Sequence, residues 1–292
     1  SIRRQRQMCI RDRLPVVLGL FFLMPRLAQA QDADTHQFFR PYDQRGVAMF
    51  EAPKADTVEF TGLDISWGAA FTQQFQALDH SNEAEPVIVD GQNVNELAEL
   101  GSGFNLATAN LVLDAELADG IRVNLITYLS SRHHPEAWVK GGYFLVNKLP
   151  MLQNDAIDRL MEYLTLRVGH FEINYGDAHF RRTDNGNAIY NPLVGNLIMD
   201  SFTTEIGGEV YVRSNGLMAM GAVTGGEIRG SVLRPDERAP SFYGKVGFDR
   251  YVNPDVRVRL MGSAYTTSKS LNNTLYSGDR AGARYYEVMN EG

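Results

Sequence analysis

From Thr57 onward, apolar and polar residues alternate with a period of two, the spacing of a strand with different surroundings on its two faces, and not with the 3.6 of a helix. In the first run Leu63, Ile65, Trp67, Ala69, Phe71 and Phe75 occupy odd positions. Asp64, Ser66, Gly68, Ala70, Thr72, Gln74 and Gln76 occupy even ones. A hairpin is predicted next. Ala107, Ala109, Leu111, Leu113, Ala115 and Leu117 form one face, with Thr108, Asn110, Asp114 and Glu116 on the other. Asp119-Gly120 supplies residues that tolerate the positive φ of a tight turn. The return strand sets Ile121, Val123, Leu125 and Leu129 against Arg122, Asn124, Tyr128 and Ser130.

Two more hairpins carry the same pattern. Ile206, Val210 and Val212 pair with Leu217, Ala219 and Val223 around Ser214-Asn215-Gly216, with Glu205, Glu209 and Tyr211 on the opposite face. Phe242, Val246 and Phe248 pair with Val256, Val258, Leu260 and Ala264 around Asn253-Pro254-Asp255, with Lys245, Asp249, Arg257 and Arg259 opposite. Two strands are less regular. Residues 137–148 hold Trp138, Tyr143, Phe144, Leu145 and Val146 without clear alternation. Leu164, Leu166 and Val168 alternate, then Phe171, Ile173 and Tyr175 continue on the opposite parity, which predicts a β-bulge near Gly169. Only residues 149–162, with Met151, Ile157, Leu160 and Met161, read as a helical connection.

Three features make this an expected membrane barrel. The strands run to about ten residues, the length a tilted strand needs to cross a bilayer, whereas strands of soluble proteins average nearer five or six. Each clear strand has an uncharged apolar face, with charges of both signs on the other. The connections alternate in length: 77–103, 176–202, 225–240 and the tail from Thr267 are long, 131–136 is modest, and 118–120, 214–216 and 253–255 are tight turns. The helical connection at 149–162 is the departure. The expected fold class is therefore all-β, an antiparallel transmembrane β-barrel with about nine strands visible in residues 57–292. The polar face then lines a lumen, and its charged residues are the pore-lining candidates: Asp64, Asp114, Glu116, Arg122, Arg167, Glu205, Glu209, Lys245, Arg257 and Arg259. Arg181 and Arg182, in the long loop 176–202, are candidates for a constriction if that loop folds inward, since charged rings are a usual selectivity device. A secreted soluble β-sandwich that binds or cleaves glycans alternates in the same way, and a barrel with an enzymatic site on its outer or upper face is a third reading.

The N-terminus obeys other rules. Arg3, Arg4, Arg6, Arg11 and Arg13 precede an apolar run over residues 14–24, followed by Pro25, Arg26 and Ala28-Gln29-Ala30. This is the pattern of a secretory signal peptide cleaved after Ala30, and the run is too short for a spanning helix. Residues 1–13 resemble translated sequencing-adapter read-through, so that Met8 and Cys9 are not expected to belong to the protein. Residues 31–56 form a mixed, polar lead-in. Nine strands is an odd count for a bacterial single-chain barrel, and the pattern places Glu291-Gly292 in an external loop with no closing aromatic-ended strand. A C-terminally truncated fragment is the expectation.

Composition narrows the classes further. Aromatic residues at 10% and balanced charge speak against a disordered chain, and one cysteine against a disulfide scaffold. A net charge of −7 argues against a nucleic-acid partner. Removal of residues 1–30 takes away six arginines and Asp12, which leaves 22 basic against 34 acidic residues, a net of −12, and no cysteine. A mean hydropathy of −0.25 argues against a helical membrane protein but suits half-apolar strands.

Catalytic signals are weak. His133-His134-Pro135-Glu136 reads as a polar loop, because adjacent strand residues point to opposite faces. His170 and His179 lack zinc-site spacing. Asp177-Ala178-His179 has no accompanying G-x-S-x-G elbow, and no dinucleotide or P-loop motif is present. Trp67 and Trp138 are candidates for an interfacial girdle. Asn272-Asn273-Thr274 matches the glycosylation pattern, which carries little meaning in a bacterial protein. No catalytic residue, metal or cofactor is expected.

The stretch 166–184, LRVGHFEINYGDAHFRRTD, resembles the RVGRFxxPFG strand and loop of bacterial porins related to the phosphate-selective porins O and P. Arg167, Val168, Gly169, Phe171, Tyr175 and Gly176 match, His170 stands where the family often has a basic residue, and Asn174 replaces the proline. The resemblance implies a homotrimeric, water-filled channel among outer-membrane lipid, passing small hydrophilic solutes. The family's phosphate selectivity rests on a lumen rich in lysine and arginine. Here Arg122, Arg167, Lys245, Arg257 and Arg259 are mixed with Asp64, Asp114, Glu116, Glu205 and Glu209, which departs from that pattern.

Overall fold

The computed structural model describes residues 46, 49–54, 58–77, 79–130, 137–181, 204–226 and 235–270. The expected leader with Cys9, residues 31–45 of the expected lead-in, the 133–136 histidine pair, Arg182 and the 272–274 sequon lie outside the described residues.

The protein is an antiparallel meander. Nine long strands form one sheet: β1 (Asp64–Gln76), β4 (Gly103–Ala118), β5 (Ile121–Ser130), β6 (Trp138–Val146), β7 (Leu164–Glu172), β8 (Thr204–Ser214), β9 (Leu217–Thr224), β10 (Ser241–Asn253) and β11 (Val256–Thr267). Each pairs with its neighbour in sequence, and among the described residues β1 pairs only with β4 and β11 only with β10, so the sheet is open. A two-residue hairpin, β2 (Ile88–Val89) and β3 (Gln92–Asn93), lies in the connection between β1 and β4. The meander puts the β4–β5, β8–β9 and β10–β11 turns at one end, together with a connection that contains α1 (Asp155–Met161). Asn154 caps α1, its side chain accepting from the Ala156 and Ile157 amides.

Turn chemistry fixes the register. Gly120 has φ +74° and Gly216 φ +82°, and a Cβ at Gly120 would lie 2.5 Å from Cβ of Lys148. The Gly120 carbonyl accepts from the Asn147 amide at 2.8 Å, and the Gly216 carbonyl from the Asp249 amide at 2.8 Å, so each turn also braces the next strand.

The two faces of the sheet are inverted relative to a soluble protein. On one face Phe71 and Leu260 are 69% and 66% exposed, and Trp67, Phe144, Val168, Val210 and Val246 are exposed with them. On the other, Arg122 is 0% and Lys245 1% exposed, and Asp114, Glu116, Asn124 and Glu209 are also buried. The polar face is covered because the sheet curls around it. Residues 49–54 and 173–181 also lie against that face. The small apolar cluster of Phe171, Ile173, Tyr211, Met218, Met220 and Tyr243 packs on this inner side too.

Two expectations are corrected here. No bulge occurs at Gly169: the β6–β7 and β7–β8 registers run through it without a shift, opposite Tyr143 and Gly207. The parity change at Phe171 is a change of residue type and not of face. Phe171 points inward, where its ring lies 4.4 Å from the Arg167 guanidinium. The irregularity falls instead in β6, where Ile126 opposes Gly141 and Thr127 opposes Val139, leaving Lys140 extra. That shift explains the untidy pattern there, since Val139 and Phe144 are both exposed despite opposite parity. Trp138 pairs with the buried Tyr128 and so belongs to the polar face and not to an outer girdle, while Trp67 is on the apolar face.

Candidate functional site

All ten sequence-selected charged residues lie in strands of the one sheet, and they form separate groups on its polar face. In the first, Asp64 opposes Glu116 in register, Arg122 pairs with Glu116 at 3.1 Å, and Asn124 donates to Asp114 at 2.6 Å. In the second, the Arg167 guanidinium pairs with Glu209 between the rings of Tyr143 and Phe171. Glu209 also accepts from the hydroxyls of Tyr211 at 2.7 Å and Tyr243 at 2.6 Å. In the third, Glu205 accepts from Thr224, from Ser241 at 3.4 Å and from Tyr265 at 2.7 Å.

The fourth group is the densest and joins four segments. Lys245 Nζ on β10 donates to Asn174 Oδ1 at 2.8 Å, Gly176 O at 2.7 Å and Asp177 Oδ1 at 2.6 Å, and lies 3.1 Å from Glu51 Oε1. Arg259 on β11 holds Asp177 with two 2.8 Å hydrogen bonds, Glu51 at 3.0 Å and Asp249 at 2.8 Å. Arg257 completes a two-pronged pair with Asp249 at 2.5 Å. Two segments from opposite ends of the sheet meet here. Residues 173–181 fold inward from the end of β7, and the Gly176 amide donates to Ser263 Oγ at 2.8 Å. Residues 49–54 arrive from the tight-turn end, where Lys54 Nζ donates to Leu164 O at 2.6 Å and Asn147 O at 2.7 Å. They touch edge to face at Phe50 and Phe180, with ring centres 5.8 Å apart.

The electrostatics follow from burial and charge together. Burial alone would raise the Glu51 carboxyl, but Lys245 and Arg259 outweigh it and hold it near 2. Asp177 is treated likewise: burial opposes its charge, and hydrogen bonds from Arg259 and Lys245 carry it well below the usual carboxylate range. Burial pushes His179 down, only partly countered by Glu172 at 3.5 Å, so the ring is neutral at pH 7 while its Nε2 contacts Asn174 Oδ1 at 3.1 Å.

Arg181 lies in the 3₁₀ turn Ala178–Arg181, within the inward-folded segment, and Arg182 is outside the described residues. The residues of that segment that reach the cluster around Lys245 and Arg259, the waist of the curled sheet, are Asn174 and Asp177. Neither they nor Glu51 were selected from sequence. Asp177 had drawn notice only as a fragment of a hydrolase pattern, and Glu51 sits in a lead-in with no period. Tyr243 and Tyr265 could have been found by parity, since they share the odd positions of Lys245 and Arg259.

Chemically, the face offers fixed charges of both signs, each held by hydrogen bonds. Among the described residues no group of three or more His, Cys, Asp or Glu is placed to hold a metal, and no helix is long and apolar enough to cross a membrane. No protein-family model, curated protein or solved structure matches the chain.

Proposed function

We propose that this sheet is the wall of an outer-membrane β-barrel channel that passes small hydrophilic solutes or ions by passive diffusion. The observation that supports the reading is the inversion of the faces. In water, exposing Phe71, Leu260 and Val246 while burying Arg122, Lys245 and Glu209 would sacrifice the hydrophobic term and incur charge desolvation as well. In lipid the same arrangement is favourable, because apolar side chains face hydrocarbon and polar ones face an aqueous or internally bonded interior. Strands of 8 to 16 residues suit the same reading. Mixed charge on the inner face favours a weakly selective passage over a phosphate-specific one.

The test is reconstitution. The full-length protein, refolded from detergent into planar lipid bilayers, should give discrete conductance steps, and cell fractionation should release it only with detergent. Folded chain recovered from the periplasm without detergent overturns the reading. So does an absence of steps from protein whose β-content is verified.

A further inference from the structure

We propose that residues 49–54 are a tethered stopper, which narrows the passage without closing it and masks an anion-binding pair, Lys245 and Arg259, with its own carboxylate, Glu51. The inference rests on the channel reading above.

The segment adds no strand to the sheet; side chains hold it. It crosses the inner face from the tight-turn end to the waist, and its contacts are with the sheet's inward groups. Lys54 is anchored at the ends of β6 and β7 through Asn147 O and Leu164 O. Arg213 of β8 donates to the Ala52 carbonyl. Glu51 reaches β10 and β11 through Lys245 and Arg259. Phe50 lies with its ring centre 4.0 Å from the Arg259 guanidinium. A stretch held in this way can leave as a unit without breaking any strand pairing, which a wall strand cannot do. Its location decides its effect. Glu51 stands between the buried Lys245 and the partly buried Arg259, the position a solute carboxylate or phosphate would take. Asp177 would still balance part of their charge after the segment left, so an unblocked passage should favour anions without becoming specific for one.

The test has two arms. In the first, Ala52→Cys is made in a Cys9→Ser background and the detergent-refolded chain is treated with a charged maleimide. Labelling should be about tenfold or more slower than in urea-unfolded chain, and should accelerate when Glu51→Gln and Lys54→Gln are added. Labelling as fast as in the unfolded chain overturns the inference whatever the conductance. In the second arm, Glu51→Gln and, separately, Phe50→Ala are compared with the unaltered chain in potassium chloride gradients across planar bilayers. Phe50→Ala loosens the segment without changing charge, and far-UV spectra confirm that each variant is folded. Conductance about twofold or more larger is expected for both, with a reversal-potential shift toward chloride for Glu51→Gln. Equal conductance and potential in all three overturn the stopper and leave the channel standing. No conductance in any of them overturns the channel itself, and the stopper with it.

Discussion

Tyr265 on β11 donates its hydroxyl to Glu205 on β8 at 2.7 Å, although two strands lie between them. In a flat sheet three strand spacings separate these backbones by about 14 Å. The hydrogen bond therefore requires the sheet to curl with the polar face inside. Thr224 on β9 and Ser241 on β10 donate to the same carboxylate, so one side chain ties four strands. Glu205→Ala removes the acceptor these hydroxyls share, leaving Ser241 and Tyr265 only each other at 2.5 Å, and should cost about 1–3 kcal/mol, with Tyr265→Phe costing about 1 kcal/mol. Urea unfolding in detergent micelles measures both, and a change below about 0.5 kcal/mol for Glu205→Ala would show that the network does not maintain the curvature.

The exposed face separates a lipid-facing wall from a soluble sheet. Val246 is exposed near the middle of β10. In water an exposed Val→Arg change away from special features is worth within about 0.5 kcal/mol either way. At the midplane of a bilayer the same change costs about 2–4 kcal/mol. Val246→Arg should therefore reduce the folding free energy into lipid vesicles by the larger amount. A near-neutral result in reversible refolding counts against the membrane assignment.

Most of the sheet was legible in the sequence because period-two alternation is a local property. Strand faces, the turns at Asp119-Gly120 and Asn215-Gly216, and the helical connection all follow from neighbours a few residues apart. The β2–β3 hairpin was missed, although Asp90-Gly91, with φ of +54° and +86°, carries the usual tight-turn signal. The bulge was placed in the wrong strand because Phe171 changes parity for a tertiary reason, its place in the inner cluster with Tyr211 and Tyr243 from other strands. The waist could not be read from the chain. Glu51 and Arg259 are 208 residues apart, and neither segment that forms the waist with the wall has a period to announce it. A sheet's two faces are written in its strands, but what comes to rest on one of them is not.

Arg167 and Glu209 should show strong pairwise coupling. The guanidinium is packed against two aromatic rings and paired with a buried carboxylate. Arg167→Met leaves Glu209 with only the Tyr211 and Tyr243 hydroxyls as donors for a buried charge, and should cost about 3–5 kcal/mol. Arg167→Lys should recover only part of this, because an ammonium neither stacks on the rings nor forks to the carboxylate. Adding Glu209→Gln to Arg167→Met should restore much of the loss. A double-mutant cycle from urea unfolding gives the coupling, and simple additivity of the two changes would contradict a specific pair.

Acid should loosen the waist before it unfolds the sheet. Glu51 has an ordinary value of 4.5 and is held near 2 when docked between Lys245 and Arg259. Its docked form binds a proton less readily than its free form, so its contribution is fully present above about pH 4.5 and is lost as pH falls toward 2. The difference corresponds to about 3 kcal/mol at most. Asp177 behaves in the same sense through the same two cations. His179 adds an earlier loss. Its docked form stays neutral below the ordinary 6.5, whereas the released ring takes up a proton, so stability begins to fall as pH drops below about 6.5. Urea-unfolding free energies measured from pH 7.5 to 3.5 should decline in two stages, the first diminished by His179→Gln and the second by Glu51→Gln. Because other carboxylates also titrate at the lower end, the quantity to compare is the difference between each variant's profile and that of the unaltered chain. Profiles that remain parallel over the whole range would mean that neither group is docked as the structure shows.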